Sequence, residues 1–468
     1  MSIEARAPER REPPDAATAF WSRDRVADAL GAGPRGAGRF GRVWTDTRTV
    51  RPGDLFVALV GATFDGHDFL ARAVAAGAAG VVVSDGRRAA ALGVPAYVVP
   101  HTGRALGALG RYRRRAWNGP VIGVVGSNGK TSTKELLRAA LGARLEVHAS
   151  EANFNNLVGV PLTLLAIPDH ADVCVVEMGT NQPGEIAQLR AMAEPDIVVV
   201  TSVAEEHLEG LGSLEGVMRE ELAACEGAKL VVVPAAQAAV VDAAAARAGR
   251  VVAAGLDAGE LRADRWSLDG DGFGTAVVRG VEVRLPAPGA HLARNAMLVL
   301  AAAEACGVSL EDAARGMAGA RMPAMRGAVE AVGRGLLIND AYNANPDSVR
   351  SALDLLAHVG RGRQRVAVLG TMLEMGASTG RVHDDIARAA LDSPVEVLVG
   401  VGEFAGAFAR AGAPTSRVIS ATDPDSAWRA LEPRLRADAA ILLKGSRGMA
   451  LERLVPDLAR YFRSSAGR

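Results

Sequence analysis

Residues 121–133 read VIGVVGSNGKTST, from Val121 to Thr133. The apolar run Val121 to Val125 predicts a buried strand, and the run Lys134 to Leu141 predicts a helix, so the glycines between them form a strand-to-helix turn. Such a turn is a phosphate cradle. Its backbone N–H groups and the helix N-terminus point at an anion, Lys130 can reach terminal phosphates, and the Thr131 hydroxyl can ligate Mg²⁺. The loop is a short one, because Val124 stands five residues before Gly129 and the first loop glycine is Gly126. The bland alternative is an ordinary turn that happens to carry Gly-Lys-Thr.

Working outward, the chain alternates short apolar strands with helical stretches. The strand-like segments DVCVVEMG (Asp172 to Gly179), DIVVVTSV (Asp196 to Val203), KLVVVP (Lys229 to Pro234) and RVVAAG (Arg250 to Gly255) predict a parallel sheet covered on both faces. After Trp266 the pattern turns to alternating residues with glycine turns, which predicts an antiparallel extension, and a helical run from His291 to Cys306 follows. A second alternating series begins near Arg326: GLLINDAYNANP (Gly335 to Pro346), RVAVLG (Arg365 to Gly370), VEVLVGVG (Val395 to Gly402) and AAILLKGS (Ala439 to Ser446). This is a second doubly wound unit, whose ligand belongs at the carboxyl ends of its strands. Upstream, VWTDTR (Val43 to Arg48), the strand Leu55 to Val60, GATFDGHDF (Gly61 to Phe69), a helix Leu70 to Ala76 and the strand Gly80 to Ser84 predict a small mixed domain. RYRRRAWNGP (Arg111 to Pro120) reads as a helix end with solvated arginines followed by a turn.

The expected organisation is α/β throughout: a disordered tail over 1–19, a small mixed α/β domain over 20–112, a central phosphate-loop domain over 113–325 and a Rossmann-like domain over 326–468. The 468 residues are too many for one core. With 53 basic against 53 acidic residues there is no net charge to attract nucleic acid or an anionic membrane. The amino-terminal MSIEARAPERREPPD lacks an apolar core for a signal peptide, and Pro234, Gln237 and Asp242 interrupt the most apolar long run. The three cysteines, Cys174, Cys225 and Cys306, are far apart and indicate neither a disulfide framework nor a zinc site. A monomeric cytoplasmic enzyme acting on small molecules is expected.

Three features beyond the cradle carry chemistry. Glu177 falls at the carboxyl end of its strand, where a second-strand acid meets a metal ion held by Thr131; the alternative is a solvated salt bridge. Asn153, Asn155 and Asn156 are neutral groups suited to substrate or phosphate oxygens, although loop asparagines also serve as turn formers. His207, in AEEHLEGLGS, lies on the same carboxyl edge, where a neutral imidazole can ligate a metal.

Taken together, TDTR, PGDLFVAL, FDGHDF, GSNGKTST, NFNN, EMGTN, HLEGLGS, the His291-to-Asn295 pair, NDAYNANPDS and LLKGSRGM closely resemble the Mur ligases of peptidoglycan synthesis, from about Val43 to Glu452. The resemblance implies ATP-dependent amide ligation with Mg²⁺. By it, Asp46, Thr47, Arg48, Phe64, Asp65 and His67 belong to the domain that holds the UDP end of the substrate, with Asn153 and Asn156 also on the substrate. Gly126, Ser127, Asn128, Gly129, Lys130, Thr131 and Ser132 hold the triphosphate. Asn295, Arg326, Asp340, Tyr342 and Asn343 meet adenosine or phosphates, while Lys444, Ser446 and Arg447 line the carboxyl-terminal face of the site. Thr131, Glu177 and His207 take the metal ions. YNANP (Tyr342 to Pro346) favours the member that adds D-alanyl-D-alanine to UDP-N-acetylmuramoyl-tripeptide. Residue chemistry agrees: a carboxylate does not react with an amine until phosphorylation gives it a leaving group.

Two positions depart from the resemblance. Thr371, in LGTMLEMG, replaces an acidic residue. The family also carries a lysine after HLE…GS that CO₂ converts to a metal-binding carbamate, whereas this chain has Glu220 and Glu221 there and no lysine between Lys134 and Lys229. Glu221 is the expected replacement; the alternative is that both glutamates form a solvated helix face. Rival classes fit less well. A folate polyglutamylating ligase does not match the first 110 residues or YNANP, a guanine-nucleotide switch needs an Asn-Lys pair that the chain lacks, and a non-catalytic nucleotide binder would show no amine-dependent phosphate release.

Overall fold

The computed structural model describes residues 19–465. The tail reading therefore lies outside the described residues except at Ala19. The chain divides into two compact units, one comprising the chain through Asn118 with Leu157–Ile167, the other Gly119–Asn156 with everything from Pro168 onward.

In the first unit four parallel strands run in the order Val43–Trp44, Leu55–Val57, Gly80–Val83 and Ala96–Val98. Phe56, Val81 and Val83 face a small core with Leu70 and Ala73. Leu55–Val57 ends three residues before the expected Val60, because Val60 turns back to bridge Asp65. The helix Thr102–Trp117 stops where Asn118 adopts a left-handed φ of 57°. Its arginines correct the solvated reading: Arg113 and Arg114 are buried, Arg113 donating to the Ile167 carbonyl at 2.6 Å and stacking over Phe20. Gly159–Leu165, an apolar helix far along the chain, packs on Thr102–Trp117.

The second unit holds two α/β sheets. Seven parallel strands run in the order Leu261–Arg262, Val251–Gly255, Leu230–Pro234, Ile197–Val200, Val121–Val125, Val173–Glu177 and Val147–Ala149. Val121–Val125 is wholly buried, which its unbroken apolar run anticipates, and the strand order reverses around it. The helix Lys130–Leu141 lays Leu136, Leu137, Ala140 and Leu141 against a core shared with Ala290–Ala305 and Leu310–Ala318. The expected antiparallel extension is a separate three-stranded meander, Arg265–Leu268, Phe273–Val278 and Val281–Pro288.

The other sheet has six strands in the order Ala328–Val332, Gly335–Asp340, Ala440–Lys444, Arg365–Gly370, Val397–Val401 and Val418–Ala421. Only Ala328–Val332 is antiparallel, an edge hairpin absent from the sequence reading. Gly335–Asp340 and Ala440–Lys444 are paired so that Asp340 lies opposite Lys444 at their carboxyl ends. The helix Pro346–Val359 starts directly after, capped by Asn345 in a reciprocal capping box with Ser348 and with Pro346 in its first turn.

Candidate active site

Two glycines let the cradle close on its neighbours. Gly126 has φ 119°, and a Cβ there would lie 2.5 Å from Thr201 Oγ1; Gly129 has φ 84°, and a Cβ there would lie 2.5 Å from Asn295 Nδ2. The loop is braced by the segment after Ile197–Val200. Ser127 N–H donates to Ser202 O at 2.8 Å, Ala204 N–H to Ser127 Oγ at 2.8 Å, and Asn128 N–H to Ser202 Oγ at 3.1 Å. Gln237, noted from sequence only as an interruption of an apolar run, holds that segment in turn by exchanging two hydrogen bonds with the Val203 backbone.

Thr131 Oγ1 donates to Glu177 Oε1 at 3.1 Å, as the sequence pattern requires, and Asn155 Nδ2 donates to the same oxygen at 3.0 Å. Asn155 is therefore the asparagine on the carboxylate, whereas Asn153 and Asn156 are exposed. Lys134 Nζ lies 3.9 Å from Glu177 Oε2 and donates to Ser150 O at 2.8 Å. Lys130 donates to Gly126 O and stands 3.8 Å from Glu206 Oε1. Burial alone would lower the Lys130 pKa, but Glu206, Glu221 and Glu177 outweigh it and hold it above the ordinary value.

Glu220 and Glu221 are both buried, so the solvated-face alternative is corrected. Glu220 accepts the amides of Gly184 and Ile186 at 2.8 Å each, ending the helix Glu185–Ala193 at its N-terminus. Glu221 Oε2 accepts the Gly126 amide at 2.8 Å, which places its carboxylate against the cradle from behind. Burial pushes the Glu221 carboxyl up to about 7, with Lys130 opposing and Glu206 adding to the rise.

His207 has a left-handed φ of 49°. Its Nδ1 pairs with Glu374, which sits in the loop after Arg365–Gly370 and itself has φ 63°. Thr371, the departure from the family pattern, accepts the Glu403 amide at 3.0 Å and so starts the helix Glu403–Arg410.

The carboxyl edges of both sheets border one cavity of about 350 Å³, lined by Ser127, Asn128, Gly129 and Ser132 from the cradle and by Asn295, Arg326, Asp340, Tyr342, Asn343 and Lys444 from elsewhere. Its volume suits a nucleotide-sized ligand. Arg326 stacks over the Tyr342 ring at 4.0 Å, and Lys444 Nζ bridges Asp340 Oδ2 at 2.8 Å and Asn343 O at 2.7 Å. His291 lines the same cavity, and its enclosure lowers its pKa. Asn345 Nδ2 donates to Asn128 Oδ1 at 2.9 Å, joining a helix cap of one sheet to the cradle of the other. A smaller cavity of about 140 Å³ is lined by Glu206, His207, Asn343, Glu374, Ser446 and Arg447. Lys444 thus falls with the larger cavity and Ser446 and Arg447 with the smaller one.

The expected UDP-site residues lie in the first unit. Asp46 forms a bidentate pair with Arg48, which holds the Asp46 carboxyl below its usual range, and Thr47 sits between them in sequence. Phe64 is 54% exposed. His67 is buried instead: Ser84 N–H donates to its Nε2 at 2.9 Å, and its Nδ1 meets Asp65 Oδ1 at 2.6 Å. With both ring nitrogens engaged, His67 fixes the Asp65 loop and is not free to touch a ligand.

Among the described residues no group of three or more His, Cys, Asp or Glu side chains is placed to hold a metal ion by itself. The site nevertheless fits Mg²⁺, which keeps waters and phosphate oxygens and takes few protein ligands. Glu177 Oε2 and both Glu206 oxygens are buried without a hydrogen-bond partner, next to Thr131 and His207. Also among the described residues, no helix is long and apolar enough to cross a membrane.

Comparisons with known proteins identify the family. The descriptions "Mur ligase family, catalytic domain", "Mur ligase middle domain" and "Mur ligase, glutamate ligase domain" match residues 40–152, 124–303 and 325–447. The chain is 34% identical to a UDP-N-acetylmuramoyl-tripeptide–D-alanyl-D-alanine ligase from Bacillus subtilis (strain 168), over 89% of this chain and 92% of the relative. It is 32% identical to the ligase of the same name from Escherichia coli (strain K12), over 88% of this chain and 92% of the relative. A crystal structure of MurF from Acinetobacter baumannii superposes with a TM-score of 0.86 at 30% identity, covering 94% of this chain and 99% of that one.

Proposed function

The chain belongs to the Mur ligase family, and from that footing we propose that it joins D-alanyl-D-alanine to UDP-N-acetylmuramoyl-tripeptide at the expense of ATP, releasing ADP and phosphate, in peptidoglycan precursor synthesis. The observation that carries the nucleotide half of this reading is the cavity in which the phosphate loop meets Asp340, Tyr342 and Lys444.

The residues divide the work. Backbone amides of Gly126 to Ser132 cradle the triphosphate, and Lys130 leaves its Gly126 carbonyl to balance charge on the transferring phosphoryl group. Thr131, Glu177, His207 and Glu221 are the residues that would hold Mg²⁺, which when bound would offset the negative charge of phosphates facing an anionic nucleophile. Arg326 and Tyr342 stack beside the adenosine, with Asn295, Asp340 and Asn343 at its polar edge. The tripeptide's terminal carboxylate takes the γ-phosphoryl group, the dipeptide amine attacks the resulting acyl phosphate, and phosphate leaves. Ser446 and Arg447, on the smaller cavity, are suited to an anionic group of the acceptor or dipeptide. Asp46, Thr47, Arg48, Phe64 and Asp65 serve the uridine end, with Asn153 and Asn156 toward the tripeptide. Because no lysine lies between Lys134 and Lys229, turnover does not depend on dissolved CO₂.

Domains of 20–112, 113–325 and 326–468, a monomer and a cytoplasmic setting complete the reading. Phosphate release measured with UDP-N-acetylmuramoyl-tripeptide, with and without D-alanyl-D-alanine, tests it. Release that requires both substrates is expected; release indifferent to the dipeptide refutes the assignment.

A further inference from the structure

Lys134, three residues after Thr131 on the helix Lys130–Leu141, is 1% exposed, deeper than Lys130. A lysine is rarely enclosed so fully unless it is paired, and its ammonium brings three N–H donors. Two of them go to backbone carbonyls of one loop, Ser150 O at 2.8 Å and Ala152 O at 3.2 Å. Glu135 Oε1 lies 3.1 Å away for the third. Glu177 Oε2, at 3.9 Å, is beyond hydrogen-bond reach, so Lys134 acts on it through charge alone.

The loop it holds, 150–156, does not take its shape by local preference. Ala152 has a left-handed φ of 44°, which costs an L-residue about 1–2 kcal/mol and which alanine has no polar side-chain group to offset. The carbonyls that Lys134 takes belong to Ala152 itself and to Ser150 just before the turn. Further bonds tie the loop to the end of the strand Val173–Glu177: Glu177 N–H donates to Ser150 Oγ at 3.1 Å, Gly179 N–H to Asn155 O at 2.8 Å, and Asn155 Nδ2 to Glu177 Oε1 at 3.0 Å. Asn153 and Asn156, flanking Asn155, are exposed. Their amide N–H groups suit a carboxylate. Among the described residues, none from 150–156 lines the nucleotide-sized cavity, which points to a ligand other than the nucleoside.

We propose that Lys134 is a positioning residue for the phosphoryl acceptor: its buried ammonium clamps Ser150 O and Ala152 O, holding the loop in the left-handed form that presents Asn153 and Asn156 to the tripeptide's terminal carboxylate. Asn155 anchors the same loop on Glu177, which sets that carboxylate beside the transferring phosphoryl group. Lys134 itself touches no substrate. The role rests on the ligase reading above and adds to it the residue that shapes the acceptor's seat.

Steady-state phosphate release and calorimetric binding of the β,γ-imido analogue of ATP, both on the full chain, test this. Lys134→Gln, which keeps a donor and removes the charge, is expected to raise the KM for UDP-N-acetylmuramoyl-tripeptide at least about tenfold, while the Kd of the analogue stays within about twofold. A purely structural lysine would lower stability without separating the two. Because Lys134 is buried, Ala152→Val is the second probe: it leaves Lys134 and Glu177 in place, sits on an exposed residue, and disfavours a positive φ. It should raise the same KM roughly fivefold with the Kd unchanged, about the cost of one left-handed residue. A tripeptide KM close to that of the parent in Ala152→Val, or in a folded Lys134→Gln, would overturn the proposal. So would a Kd that moves in step with the KM in Lys134→Gln, since Lys134 would then be a charge for the phosphates. A parent whose phosphate release needs neither tripeptide nor dipeptide fails the ligase reading, and this role falls with it.

Discussion

Lys130 reads from sequence as a loop lysine facing solvent, yet its side chain is only 14% exposed and faces Glu206. That changes what its removal does. Lys130→Ala is expected to lower turnover at least a thousandfold through lost phosphate charge balance, and also to cost about 3–5 kcal/mol of stability at neutral pH, because buried carboxylates lose their cation. Phosphate release and urea unfolding measure the two effects; activity within tenfold of the parent would reject the cradle reading. His383 makes a prediction about pH. Its Nε2 accepts the Met372 amide at 2.9 Å and its Nδ1 faces Thr379 O at 2.7 Å, so the ring is held neutral and burial lowers its pKa. The unfolded chain then binds the extra proton first, and stability falls as pH drops below about 6.5, the unfolded value. In thermal unfolding of the unliganded protein between pH 7.5 and 5.5, the parent should lose more than His383→Gln. Equal slopes would rule out His383 as the source.

At the scale of the element, the helix Pro346–Val359 does two things through one side chain. Asn345 Oδ1 caps its first turn, accepting the Ser348 amide at 2.9 Å, while Nδ2 reaches Asn128 in the cradle. Asn345→Asp keeps the cap and replaces the donor with an acceptor. Stability should fall by about 1–3 kcal/mol, because a buried carboxylate then faces the Asn128 amide oxygen, and the KM for ATP should rise roughly tenfold, the equivalent of one lost hydrogen bond at about 1.4 kcal/mol. An unchanged KM would show that the contact does not help position the nucleotide. The loop carrying Glu374 is a second case. Its carbonyl accepts the Glu209 amide at 3.0 Å, so the backbone that follows His207 is tied to the loop that orients its ring.

For the whole molecule, the informative feature is the helix Gly159–Leu165, which belongs with the first unit although the segments on both sides of it belong to the second. Val160 and Leu164 are fully buried and Leu162 nearly so. A fragment beginning at Gly119 exposes these three side chains, at about 1.5–3 kcal/mol each. It should be poorly soluble alone, recover on co-expression with residues 19–118, and lack tight binding of the uridine substrate. A soluble fragment that bound that substrate in a calorimetric titration would contradict the division of ligands between the units.

The sequence alone determined the strand–glycine–helix cradle, the two alternating series, the edge on which Glu177, His207, Asp340 and Lys444 lie, and the family. These follow from local periodicity and from the residue types that a turn or a phosphate demands, which neighbours along the chain already specify. Tertiary structure decided which loop side chains turn inward. Asn155 rather than Asn153 or Asn156 meets Glu177, His67 closes on its own loop, and Glu206, one residue from a recognised motif, is buried. In non-repeating backbone, as at His207 and Glu374 with φ of 49° and 63°, no period fixes the direction of a side chain. Contacts outside any local period fix it instead: Asn155 with Glu177 and His67 with Asp65 and Ser84 within one stretch of chain, His207 with Glu374 between the two sheets.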